Sequence, residues 1–179
     1  EKKLLFPCFP MEFPVENGYS MVGEVLEVGS AVSRFGVGDR VFVPEPHKQF
    51  AASPARLATQ LPESVPDNLG AFLHILEVAH IALRRVNVSP GENVAIIGSG
   101  LIGLSALAYC CLFGCRTAVV NPDQNRLEVA RSMGANWTGS PSEESFMHGI
   151  TQFFQSEGAD LVVEAASTWP AIETSLTVA

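Results

Sequence analysis

Three glycines stand two and three residues apart in the segment Gly98-Ser99-Gly100-Leu101-Ile102-Gly103. They follow the β-branched run 94–97 and precede a long apolar stretch, so we expect a strand, a tight turn and a buried helix. In that setting the first glycine permits the turn, the second lets a diphosphate approach the backbone, and the third lets helix and strand pack closely. The helix N-terminus would add free N–H groups and partial positive charge. The alternative is a glycine-rich turn in an ordinary α/β protein.

The strand expected after that helix ends at Asn121, where an NAD-binding protein would carry an acidic residue for both ribose hydroxyls. An amide can bond a hydroxyl, but it repels a 2′-phosphate less than a carboxylate does. Arg126 is a candidate for the adenosine side, or else an arginine on a helix surface. Neither NAD nor NADP is excluded, and NAD is favoured because no arginine directly follows Asn121.

The glycine segment lies in a region where predicted strands and helices alternate. We expect strands at 93–97, 117–120, 136–138 and 160–163, helices at 101–113, 123–133 and 141–155, and a last helix that begins near Pro170. This alternation indicates βαβ units and a parallel sheet with both faces covered. A membrane span is the alternative for the uncharged stretch 94–115, but the glycines within it argue against that interpretation.

Residues 1–66 differ in character, because eight prolines exclude long helices from them. Apolar runs at 22–28 and 37–43 predict short strands. Apolar residues at helical spacing then predict one helix over 69–86, which Asp67 could cap. The expected fold class is therefore β material followed by an α/β domain.

Four ordered sequence blocks are similar to the medium-chain dehydrogenase/reductase superfamily. They are Asn17-Gly18-Tyr19-Ser20-Met21-Val22-Gly23-Glu24-Val25 with Glu27-Val28-Gly29, then Val37-Gly38-Asp39-Arg40-Val41, the glycine segment, and Arg126-Leu127 running to Gly134-Ala135. The resemblance implies a partial GroES-like barrel at 1–74, followed at 75–179 by the first half or more of a Rossmann domain, a doubly wound parallel sheet. It also implies that the chain is a fragment, which by itself would be inactive.

In that family, a nicotinamide cofactor exchanges a hydride with the substrate in a cleft between the two domains. The resemblance places cofactor contacts on Gly98, Ser99, Gly100, Leu101, Ile102 and Gly103, on Asn121 and Arg126, on Ala166 and Ser167 in the turn after the fourth strand, and on Val78 beside the nicotinamide. The cofactor implied is NAD or NADP. The substrate implied is a small alcohol, ketone, quinone or enone.

The sequence departs from the zinc-dependent alcohol dehydrogenases of that family at the metal site. Those enzymes use a cysteine upstream of this chain, the histidine of a Gly-His-Glu block, and a third ligand before the glycine segment. Here the block reads Gly18-Tyr19-Ser20, and the third position falls on His74. A phenol stays protonated at neutral pH and is a poor zinc ligand, and one histidine does not make a three-ligand site. No catalytic zinc is therefore expected.

Without a metal, Tyr19 and His74 are the candidates for polarising a substrate oxygen and moving a proton. The alternatives are that Tyr19 only packs and that His74 is a satisfied histidine on a linking helix. His47, His80 and His148 have no carboxylate or cysteine partner at an informative spacing, and we assign them no chemistry.

The charge composition of the chain limits the classes of partner that it can bind. Lys and Arg number 11 against 19 Asp and Glu, a net charge of −8, which disfavours nucleic acid and anionic membranes as partners. The four cysteines include no CxxC pair, which predicts a reducing, cytoplasmic location. Cys110, Cys111 and Cys115 fall in the apolar helix and are expected to pack there. The sequence leaves open whether the full-length protein forms a homo-oligomer.

Three interpretations of function remain at this point. The first is a zinc-independent oxidoreductase that uses NAD or NADP. The second is a relative of the zinc-dependent alcohol or polyol dehydrogenases whose metal ligands have changed. The third is a dinucleotide-binding module without turnover, because a fold alone does not establish a reaction.

Overall fold

The computed structural model describes residues 16–155 and 157–179, so Cys8 and the start of the predicted barrel lie outside the described residues. The chain forms two compact units that divide between His74 and Ile75. A helix, α2 (Leu73–Arg85), runs through this division.

The first unit contains a three-stranded antiparallel sheet in the order β1-β2-β3. The strands are β1 (Met21–Glu24), β2 (Arg40–Val43) and β3 (Thr59–Gln60), with a 3₁₀ turn at Ala55–Leu57. The first two strands are shorter than the predicted runs, and β2 begins only after Gly38, whose φ is 93°. A small apolar core of Phe35, Val41, Val43 and Ala58 packs on this sheet.

The single helix predicted over 69–86 is broken into α1 (Asp67–Gly70) and α2. At the break, the Ala71 carbonyl accepts a hydrogen bond from the Ser20 hydroxyl. The predicted cap is wrong: Pro66 is the N-cap residue of α1, and the Asp67 carboxylate instead forms an ion pair with Arg40. The local pattern predicts that Asp67 caps the helix, but its side chain forms this long-range ion pair instead.

The second unit is built on a four-stranded parallel sheet in the order β6-β5-β4-β7. Its strands are β4 (Asn93–Ile97), β5 (Arg116–Val120), β6 (Trp137–Gly139) and β7 (Leu161–Glu164). Its helices besides α2 are α3 (Leu101–Leu112), α4 (Gln124–Ser132), α5 (Phe146–Phe153) and α6 (Trp169–Val178). The helix predicted from Pro141 begins only at Phe146, because residues 140–146 form successive turns closed by the Glu143 and Phe146 amides.

Helices cover both faces of this sheet. Along β4, Val94 and Ile96 face one apolar core with α2, α3 and α4, whereas Ala95 and Ile97 face a second core with α5 and α6. This alternation is the period of two of a strand that is buried on both sides. The fold class predicted from the sequence, β material followed by a Rossmann-type parallel sheet, is confirmed.

The uncharged stretch 94–115 forms β4, a turn and α3, as its glycines indicate. Among the described residues no helix is long and apolar enough to cross a membrane. Within α3, Cys110 is fully buried, and burial raises the pKa of its thiol to about 12. Such a thiol stays protonated at physiological pH and packs as a small apolar group.

Candidate functional site

The glycine segment forms the turn between β4 and α3. Gly98 adopts a φ of 101°, in the region that favours glycine, and its N–H donates to the Val120 carbonyl at 2.8 Å. Gly100 is the N-cap residue of α3, with extended backbone at φ −79° and ψ −170°. The helix therefore begins directly at Leu101, and its first N–H groups have no partner within the helix.

The three glycines differ in what a side chain would meet. A Cβ on Gly103 would lie 1.8 Å from the Gly98 carbonyl oxygen, and one on Gly98 would lie 2.9 Å from the Ala166 amide nitrogen. A Cβ on Gly100 would meet nothing closer than Arg126 Nη1 at 3.9 Å. Gly98 and Gly103 thus serve close packing within the fold, whereas the surface above Gly100 is bare backbone open to a ligand.

Two further features suit a dinucleotide at this turn. The Ser99 hydroxyl is buried without a hydrogen-bond partner in the described residues, and the residue is 2% exposed. The first turn of α3 offers N–H groups and the positive end of a helix dipole to negative charge. The residues present therefore fit the diphosphate of a nicotinamide dinucleotide.

The loop after β5 is fixed by its own side chains. Asn121 is buried, and its Oδ1 accepts the Asp123 amide at 2.9 Å. Asp123 in turn caps α4, because its Oδ1 accepts the Asn125 amide at 2.9 Å. Its other carboxylate oxygen lies 3.9 Å from Arg126 Nε. Arg126 is therefore positioned between this carboxylate and the bare surface of Gly100.

The turn after β7 lies against the glycine segment. The Ala165 amide donates to the Ile97 carbonyl at 2.8 Å, and the Ala166 backbone closes on Gly98. Glu164 holds the turn, since its Oε1 accepts the amides of Ala166 and Ser167, each at 2.8 Å. No sequence motif described above includes Glu164. The signal that could have found it is an acidic residue at the last position of a predicted buried strand.

Strand register brings the predicted cofactor contacts of the second unit to one edge of the sheet. Ile97 pairs with Val120 and with Glu164, so the residues that follow β4, β5 and β7 emerge side by side at the carboxyl end of the sheet. Ligands of open parallel sheets bind at this edge. Val78, the remaining predicted contact, lies on α2 and is 41% exposed.

In the first unit, Tyr19 and His74 are in contact. Their ring centroids are 5.0 Å apart at an interplanar angle of 66°, an edge-to-face arrangement, and Tyr19 is 53% exposed. His47 packs its ring on the backbone of Gly18, where a Cβ would lie 2.3 Å from His47 Cδ2. Sequence analysis assigned His47 no role. The structure places the His47 ring against Gly18, the residue that precedes Tyr19 in the chain.

The described residues do not fit a zinc site. No three His, Cys, Asp or Glu side chains among residues 16–155 and 157–179 form a group that could hold a metal ion. Tyr19 and Ser20 occupy the positions of the family's ligand block, and Ser20 uses its hydroxyl on the Ala71 carbonyl. The expectation of no catalytic zinc stays a prediction, because the absence of such a group among the described residues does not test it.

Two protein-family models match the chain. The alcohol dehydrogenase GroES-like domain matches residues 5–70, and the zinc-binding dehydrogenase family matches residues 102–179. The two matches follow one another in the order of the two structural units.

Named relatives are oxidoreductases. A probable D-xylulose reductase A of Emericella nidulans is 29% identical, over 95% of this chain and 57% of that protein. Sorbitol dehydrogenase of Bacillus subtilis is 28% identical, over 94% of this chain and 57% of that protein. The chain thus spans a little over half the length of these relatives.

A solved structure of another protein has the same fold as this chain. A zinc-dependent alcohol dehydrogenase from Streptococcus pneumonia superposes with a TM-score of 0.77 at 25% identity, covering 90% of this chain and 56% of that one. The similarity extends over both units of the chain.

Proposed function

The chain belongs to the medium-chain dehydrogenase/reductase superfamily, and from this premise we propose that the protein is an oxidoreductase dependent on NAD or NADP. It transfers a hydride between the cofactor and a small alcohol, ketone, quinone or enone. The unit that ends at His74 is the substrate domain, and the unit from Ile75 is the dinucleotide-binding domain. A cytoplasmic location is a further expectation from the sequence, and the oligomeric state of the full-length protein is left open.

The observation that carries the proposal is the bare backbone at Gly100. It stands at the N-terminus of a 12-residue helix, next to Arg126, at the sheet edge where such ligands bind. The bound nicotinamide would supply the hydride chemistry. The residues of this chain bind its diphosphate through the amides of the first turn of α3 and orient its ribose through Asn121. NAD is favoured over NADP.

We propose that turnover proceeds without a catalytic zinc. A substrate oxygen then needs a hydrogen-bond donor, and Tyr19 provides an exposed phenol, packed edge-on against His74. The phenol O–H donates to that oxygen, while the imidazole contact holds the ring and offers a route for the proton. Both groups are positioned by the first unit alone.

The test of this function is turnover by the full-length protein combined with metal analysis. We expect consumption of NADH or NADPH with at least one of a panel of ketones, quinones and enones, with no stoichiometric zinc and no inhibition by a chelator. One bound equivalent of zinc would favour the polyol dehydrogenase interpretation, which the names of the relatives support. Cofactor binding without turnover across the panel would favour the non-catalytic module.

Replacing Tyr19 by phenylalanine separates chemistry from binding. The Tyr19→Phe variant keeps the ring contact with His74 but loses the donor, so we expect kcat to fall about 10- to 100-fold. NADH affinity and thermal stability should not change, because the exposed hydroxyl contributes little to folding. An unchanged kcat in steady-state kinetics would remove Tyr19 from the proposed mechanism.

A further inference from the structure

The loop after β6 holds a carboxylate against the start of α4. Gln124 Nε2 donates to Glu143 Oε1 at 2.9 Å, and the Glu143 amide closes a turn on the Ser140 carbonyl at 3.1 Å. Gln124 is the first residue of α4, and the loop that connects β5 to it contains Asn121. The Glu143 carboxylate therefore lies beside the start of α4, which that loop leads into.

Strand register places the loop that carries Glu143 next to the ribose end of the proposed dinucleotide site. Val120 pairs with Ile97 on one side and with Gly139 on the other, and the Asn121 amide donates to the Gly139 carbonyl at 3.2 Å. In a sheet of this type, the adenosine ribose lies at the end of the second strand, which is β5 here. The loop after β6 borders that position from the side opposite to the glycine segment.

The charges near the ribose differ from those near the diphosphate. Arg126 Nη1 lies close to the bare surface of Gly100, where NAD and NADP carry the same diphosphate, so its charge favours both cofactors. The cofactors differ only in the 2′-phosphate on the ribose. That group would approach the carboxylates of Asp123 and Glu143, while Asn121 adds no charge and has its Oδ1 engaged with the Asp123 amide.

We propose that Glu143 sets a preference for NAD(H) over NADP(H), supplying from the neighbouring loop the negative charge that Asn121 lacks. The inference rests on the proposed function, because it requires the dinucleotide to lie on the glycine segment. The mechanism is like-charge repulsion of the 2′-phosphate. Gln124 and Glu143 are both exposed, so dissolved salt should screen the effect.

The experiment compares dissociation constants of NADH and NADPH, measured by nucleotide fluorescence, for the purified protein and two variants. Glu143→Gln removes the charge but retains an oxygen that can accept from Gln124. Glu157→Gln makes the same change in net charge at the amino end of the sheet. That location follows from the nearby Asp160, which accepts a hydrogen bond from the amide of Asn93, the first residue of β4. Each titration is repeated at about 0.05 M and 0.5 M salt.

We expect the unaltered protein to bind NADH more tightly than NADPH. Glu143→Gln should bind NADPH about 3- to 10-fold more tightly, leave NADH affinity within about twofold, and lose most of this gain at high salt. Glu157→Gln should match the unaltered protein.

Three results would overturn the inference: a preference of the unaltered protein for NADPH, an unchanged ratio in Glu143→Gln, or an equal change in Glu157→Gln. Failure of the unaltered protein to bind either nucleotide is a different result. It would remove the proposed function itself, and this inference with it.

Discussion

Replacing Gly100 by alanine is expected to weaken NADH binding at least about tenfold while leaving the fold intact. The backbone of Gly100 is extended, and the nearest atom to an added Cβ is Arg126 Nη1 at 3.9 Å, so the chain has room for the methyl group. A bound diphosphate needs that same space against the backbone. Fluorescence titration with NADH measures the loss, and thermal unfolding measures the unchanged stability.

Gly29 provides a matched control for Gly100. Its added Cβ would also have its nearest neighbour at 3.9 Å, in this case Val32 Cγ2, but Gly29 belongs to the first unit and the glycine segment to the second. Gly29→Ala should change neither NADH affinity nor stability. Unaltered NADH affinity in Gly100→Ala would contradict the assignment of this surface to the diphosphate.

Replacing Gly103 by alanine is expected to destabilise the second unit by about 3 kcal/mol or more. The added Cβ would overlap the Gly98 carbonyl oxygen at 1.8 Å, so α3 would have to move away from β4. That movement would open the apolar core in which Ile96 and Leu107 are fully buried. Since domains of this size are stable by roughly 5–15 kcal/mol, the loss is a large share of the total.

Urea denaturation followed by circular dichroism measures this effect, and Gly100→Ala serves as the comparison within the same turn. The two variants should separate cleanly: Gly103→Ala loses stability first and binding as a consequence, whereas Gly100→Ala loses binding alone. A Gly103→Ala protein as stable as the unaltered one would show that the helix and strand tolerate a wider separation than their contact indicates.

The parallel sheet and the glycine turn could be predicted because both depend on local patterns. The strand 93–97 matches β4, and the glycine spacing fixes where α3 begins. The strand pattern and the glycine spacing each extend over no more than about ten residues. At that length, the spacing of apolar residues and the residue types of the turn determine the local structure.

The interactions that sequence analysis missed join residues far apart in the chain. The local pattern predicts that Asp67 caps a helix, but its carboxylate forms an ion pair with Arg40. No local sequence pattern indicates an ion pair between residues so far apart in the chain. The same holds for His47 on Gly18 and for Glu143 with Gln124. Such contacts depend on strand register and loop course, which become known only when the fold is assembled.

The meeting of the candidate cofactor residues could be predicted from the sequence, whereas the contact between Tyr19 and His74 could not. The glycine segment, Asn121 and the turn after β7 meet because parallel strands end at one edge, and that follows from topology. Tyr19, before β1, and His74, in the first turn of α2, are in ring contact but share no sequence motif, so only their residue types suggested a role.

The most direct test of the account is to map NADH binding onto the backbone amides of the ¹⁵N-labelled protein by nuclear magnetic resonance. We expect saturable shifts that are largest at Gly98, Gly100, Leu101 and Gly103, with smaller shifts at Asn121 and none at the amino end of the sheet. Saturable binding that leaves the amides of the glycine segment unshifted, or no binding at all, would contradict it.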